Sequence, residues 1–113
     1  VEPRLPAQLE VQALVRQVQA AGGFATVLAK GEVDAGTILV VTCENGKNSN
    51  IYERMPGLDG QRLWHSVKGH DPENPQQFQE YIDRRRRQDG DLWIVELDIA
   101  NAERFIGLPS PAA

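Results

Sequence analysis

The amino-acid sequence predicts an α/β (α+β) chain: one domain built on a mixed or mainly antiparallel sheet of about five strands, with two helices, one on each face, in the order α-β-β-β-β-α-β. Three observations lead there. Two stretches, 37–44 and 92–95, are apolar at both alternating sets of positions, a pattern that suits a strand lying between two covering layers. Two longer stretches carry apolar residues at helical spacing. Clusters of Gly, Asn, Asp and Pro punctuate the chain between these runs.

Over 6–21, Ala7, Val11, Leu14, Val15, Val18 and Ala21 recur at the spacing of one helical face, with Gln8, Gln12, Arg16 and Gln19 largely opposite, and Gly22-Gly23 stops the run. Strands are expected at 24–30, 37–44, 50–55 and 62–68, each bounded by turn residues. Asn45-Gly46 readily takes positive φ and should join the second and third as a hairpin; Pro56-Gly57-Leu58-Asp59-Gly60 should close the next. The second helix is expected after Asn74, with that side chain as cap, Pro75 at the first helical position and Gln77 completing a capping box. It runs to about residue 88 with Phe78, Tyr81, Ile82 and Arg85 inward, and Asp89-Gly90-Asp91 breaks it before a last strand at 92–99. In the second strand Ile38 and Val40 face one layer while Leu39, Val41 and Cys43 face the other. The runner-up architecture has two layers, with a second copy of the chain covering an open sheet face. The domain is expected to span 1–106, with 107–113 as a flexible C-terminal tail.

Composition narrows the function classes. The 12 basic and 16 acidic residues leave a net charge of −4, which disfavours a dedicated nucleic-acid binder, because such domains rely on a basic field to release counterions. No apolar run approaches the roughly 18 residues a membrane span requires. Cys43 is the only cysteine, so no intrachain disulfide can form and a reducing cytoplasm is the simplest compartment.

Several motifs invite chemistry and are better read as structure. Gly31-Glu32-Val33-Asp34-Ala35-Gly36-Thr37 spaces its glycines like a phosphate loop, yet it lacks the lysine and leads into a strand instead of a helix, so it reads as a turn. The run Arg84, Arg85, Arg86 and Arg87 fans around a helix by about 100° per residue, with Glu80 and Asp83 each four residues upstream as partners, and reads as a solvated helix end. Cys43, His65 and His70 show neither zinc-ligand spacing nor a nucleophile–base arrangement; Cys43 reads as core and His65, alternating with Leu63 and Val67, as a partly buried histidine. Glu96 and Asp98 share one side of the last strand, about 6 to 7 Å apart, with no third ligand beside them.

Three stretches together carry a family resemblance: LAKGEVDAGT, the Tyr52-Glu53-Arg54 run followed by Trp64, and RRRRQDGDLWIVELDIANAERF. In order and spacing the chain resembles, over nearly its whole length, small alphaproteobacterial proteins of domain-of-unknown-function family 1491. It departs from the family pattern at Asp89-Gly90-Asp91, where the family has Asp-Pro-Asp; glycine permits that turn but stiffens it less. The resemblance implies a compact α/β domain in a bacterial cytoplasm and supplies no catalytic residues.

The candidate site lies on the third and fourth strands. If the hairpin pairs Tyr52 with Trp64, then Tyr52, Arg54, Trp64 and Lys68 share one face, and aromatic rings beside cations suit an anionic or planar ligand or a protein contact. The structural alternative is an aromatic pair tucked under a helix with the cations at its edge. The expected function is that of a small cytoplasmic binding or regulatory accessory module without catalysis, metal or cofactor, its partner a protein, a second copy of the chain or a small anionic ligand. The alternatives are an enzyme or metabolite-handling domain with a site formed between subunits and, more remotely, nucleic-acid binding through the arginine run.

Overall fold

The computed structural model describes residues 6–56 and 62–108. Its elements are α1 (Ala7–Ala20), β1 (Phe24–Ala29), β2 (Ile38–Glu44), β3 (Lys47–Pro56), β4 (Arg62–Gly69), α2 (Pro75–Gln88), β5 (Trp93–Asp98) and a 3-10 helix over Ala102–Ile106. The strands form one sheet in the order β1-β5-β2-β3-β4, with β5 parallel to β2 and the other neighbours antiparallel. This is the expected mixed sheet. The two strands that are apolar on both faces, β2 and β5, lie side by side within it, Ile38 against Trp93 and Val40 against Val95.

Each face has its own core. Val11, Leu14 and Val18 of α1 pack on Ile38, Val40, Val95 and Leu97, and the 3-10 helix adds Ala102 and Ile106 to that layer. On the opposite face Phe78 and Ile82 of α2 cover Leu39, Val41, Ile51 and Ile94. At about 1.5–3 kcal/mol for each fully buried aliphatic side chain, these two layers hold the fold. The two-layer alternative is therefore set aside, since each face has a helix of this chain over it. The α2-side core takes in Ala29 at the end of β1 but leaves the start of that strand uncovered. Ala25 and Val27 point to the α1 core, while Phe24, alternating with them, is 74% exposed.

The Gly31 to Thr37 loop is a brace between two elements. The carbonyls of Asp34 and Val33 accept the first amides of α1, from Ala7 and Gln8, at 3.0 and 2.9 Å, supplying partners that Pro6 cannot provide as a side-chain cap. At its other side the Glu32 amide donates to Asp91 O (3.0 Å), the Trp93 indole Nε1 donates to Glu32 O (2.7 Å) and the Trp93 amide donates to Thr37 O (2.8 Å). Glu32 also folds its own carboxylate back onto the Asp34 amide at 2.9 Å. Gly31 and Gly36 are the close approaches that allow this, because a Cβ at either would stand 2.0 and 2.4 Å from Asp91 O.

Local geometry departs from expectation in a few places. The Asn45-Gly46 hairpin forms with φ of 53° and 74°, but β3 already starts at Lys47. Asn74 occupies the N-cap of α2 and Pro75 follows it, yet the capping box does not form; the Asn74 amide side chain turns back to Asp71 Oδ2 at 3.4 Å. Glu80 and Asp83 form no ion pairs with Arg84 and Arg87: Arg84 lies over the Tyr81 ring at 5.5 Å, and Asp83 accepts from Gln79 Nε2 at 3.0 Å. The 3-10 helix has no counterpart in the sequence reading. Of the expected tail, 109–113 lie outside the described residues, while Leu108 packs on the α1 core and its amide donates to Glu103 O at 3.0 Å. The turn expected over Pro56 to Gly60 falls, from Gly57 on, outside the described residues. Among the described residues no helix is long and apolar enough to cross a membrane.

Candidate ligand groove

Alternation along β3 sends Tyr52 and Arg54 to the α1 face and Glu53 to the α2 face. The pairing partner of Arg54 is Trp64, so that of Tyr52 is Ser66 in place of the expected Trp64, and a bulge then shifts the β3–β4 register between Ile51 and Tyr52. The same bulge puts Lys68 opposite Ile51, whose side chain belongs to the α2 core. The structure thus brings together Tyr52, Arg54 and Trp64 and leaves Lys68 apart. A bulge adds one residue to one strand, and everything beyond it changes partner.

Arg54 is the centre of the arrangement. Its Nη1 lies 2.8 Å from Glu10 Oε2 of α1, and its guanidinium lies 5.4 Å from the Trp64 ring centroid. The side chains of Arg54 and Glu10 are only 16% and 17% exposed, and Arg54 Nε is buried with no hydrogen-bond partner. Beyond this pair an open groove of about 270 Å³ runs along α1 past Ala13, Leu14 and Gln17, walled on the other side by Trp64, Phe105 and Ile106. Beneath lies Tyr52, buried, with its phenol pushed up by burial and then by the Glu103 carboxylate. Glu103 is itself buried in the 3-10 helix, with Oε2 lacking a partner. The groove therefore joins an apolar trough to a partly desolvated ion pair, and among the described residues that line it there is no imidazole or thiol.

Three of its walls escaped the sequence reading. Glu10 flanks the apolar stripe of α1 and was legible only as one more solvated charge, while Phe105 and Ile106 belong to a helix too short to show a period.

The other singled-out residues lie elsewhere. Arg85 alone of the arginine run turns inward, pairing with Glu53 and donating to Tyr81 Oη at 3.1 Å; Arg84, Arg86 and Arg87 are exposed. Arg85 is held charged, its pKa raised by Glu53 and Tyr81 against the opposing effect of burial. His65 is exposed on edge strand β4 opposite Glu53, a correction to its expected partial burial: β4 ends the sheet and α2 does not extend over it there. His70 stands edge-on to Phe78 at 6.1 Å. Asp98 accepts the Asn45 amide at 2.7 Å and so ties β5 to the β2–β3 turn. Among the described residues no three His, Cys, Asp or Glu side chains are grouped to hold a metal.

Cys43 is buried beside Asp98 and Glu96, and burial followed by those two carboxylates pushes its thiol up to about 11 from 9.0. A raised acid of this kind stabilises the fold below its unfolded pKa and loses that contribution as pH climbs through the folded value. Urea titrations should therefore show wild-type stability falling between pH 9 and 11 more steeply than that of Cys43→Ala; equal slopes would count against the buried, acid-flanked thiol.

Comparison with known proteins agrees with this architecture. A crystal structure of a DUF1491 family protein from Caulobacter crescentus CB15 matches with a TM-score of 0.79 at 29% identity, covering 94% of this chain and 98% of that one. The solution structure of protein Atu0922 from A. tumefaciens gives 0.74 at 30% identity, with 97% and 98% covered. An NMR structure of a DUF1491 family protein from C. crescentus CB15 gives 0.78 at 28% identity, with 98% and 100% covered. No curated protein matches. Residues 5–107 match the family described as "Protein of unknown function (DUF1491)", and the chain belongs to that family.

Proposed function

We propose that this protein is a binding module of the bacterial cytoplasm, acting through the α1–β3–β4 groove on a small amphiphilic ligand that carries an anionic group, with no chemistry performed on it. The observation that carries the reading is Arg54: a guanidinium held partly out of water between Glu10 and the Trp64 face, at the end of an apolar trough. A merely structural ion pair has no need of an open groove beside it. The lone buried thiol of Cys43 suits a reducing compartment.

The test uses the two tryptophans as reporters. Nitrogen-15 spectra of the full chain are recorded during titration with 3-phenylpropionate and with its neutral amide. The carboxylate should shift the Trp64 indole N–H signal saturably and leave that of Trp93, bonded to Glu32 O, in place. A Trp64 signal indifferent to the carboxylate, or equally sensitive to the amide, would remove the proposal.

A further inference from the structure

The polar end of the groove presents both signs of charge. Arg54 Nη1 and Glu10 Oε2 are in direct contact at 2.8 Å, so whatever binds there meets a cation and an anion side by side. A plain carboxylate satisfies Arg54 but stands against the Glu10 carboxylate, whose side chain is only 17% exposed. A ligand with an ammonium beside its carboxylate leaves neither group of the pair without a partner. Its carboxylate takes guanidinium donors not used by Glu10, since Arg carries five in a planar fork, and its ammonium takes the Glu10 carboxylate.

The rest of the groove sets the body of the ligand. Glu10, Ala13 or Leu14, and Gln17 follow one line along α1, and the seven steps from Glu10 to Gln17 rise about 10 Å at helical pitch. The middle of that length is apolar, between Leu14 on one side and Trp64, Phe105 and Ile106 on the other. The open volume of about 270 Å³ accommodates one large apolar side chain with its backbone atoms. A peptide carries its two terminal charges far apart, whereas the protein's charges touch. Resting on the groove reading above, we infer that the ligand is a free α-amino acid with a large apolar side chain, its carboxylate toward Arg54, its ammonium toward Glu10 and its side chain along the trough against Trp64.

The experiment titrates the full wild-type chain with L-phenylalanine, N-acetyl-L-phenylalanine, L-phenylalaninamide and 3-phenylpropionate, reading the Trp64 indole signal, with the Trp93 signal as a check on folding. L-Phenylalanine should bind at least tenfold more tightly than any of the three that lack one charge, with 3-phenylpropionate still shifting the Trp64 signal at higher concentration. Glu10→Gln, which keeps shape and removes the anion, should bring L-phenylalanine and its N-acetyl form to equal affinity. If 3-phenylpropionate or the N-acetyl form binds wild type as tightly as the amino acid, the zwitterion inference fails while the anion groove stands. If none of the four moves the Trp64 signal, both fail.

Discussion

Trp93→Ala should cost about 3–5 kcal/mol of folding free energy, the range for emptying a buried aromatic position. Trp93 is 4% exposed at the start of β5, with its ring in the α1 core and its indole N–H donated to Glu32 O, so truncation removes packing and the hydrogen bond that holds the brace loop to the sheet. Trp64→Ala is the comparison. Its ring lies half-buried at the groove wall, and its loss should lower stability clearly less while abolishing the ligand response. Urea midpoints of the two variants decide this, and equal losses at both positions would make Trp64 a core residue and leave the groove without its principal wall.

Gly31→Ala comes second in size. The added methyl would stand 2.0 Å from Asp91 O and 2.7 Å from Leu92 C, both backbone atoms, so no side-chain rotation relieves it. The loop must move, and its bonds to Asp91, Trp93 and the first turn of α1 move with it. The loss should reach about 3 kcal/mol, the upper end of ordinary overpacking. Gly90→Ala, in the turn before β5 where a Cβ meets nothing within 4 Å and φ is not positive, should be neutral or slightly stabilising. If thermal melts find the two variants equally stable, the brace has been misread.

The layered fold was legible because burial on two faces leaves its mark at every position of a strand. Ile38 to Val41 and Trp93 to Val95 offer no polar side, and nothing but cover above and below accommodates them. Register left no such mark. The bulge that gives Lys68 to Ile51 is an event of the backbone, and side-chain chemistry on either strand does not announce it. Asn74 shows a related limit: its type and place were those of a cap, but Asp71 offered its side chain a competing partner three residues away. The groove needed three elements distant in sequence, α1, the β3–β4 pair and the 3-10 helix, and only the middle one was visible as a candidate.

The adjacent residues Glu53 and Arg54 have a bearing on how the sheet assembles. Successive side chains of β3 reach opposite helices, Glu53 to Arg85 of α2 and Arg54 to Glu10 of α1. If β3 slid by one residue, the strand's period of two would send each side chain through to the other layer. Slid one way, Arg54 would take the place of Glu53 and confront Arg85; slid the other way, Glu53 would take the place of Arg54 and confront Glu10. Either slip turns one attraction into a like-charge repulsion on one face of the sheet and breaks the ion pair on the other. Two neighbouring residues of opposite sign thereby act as a keyed peg, seating this strand between its helices in one alignment and rejecting the alignment next to it.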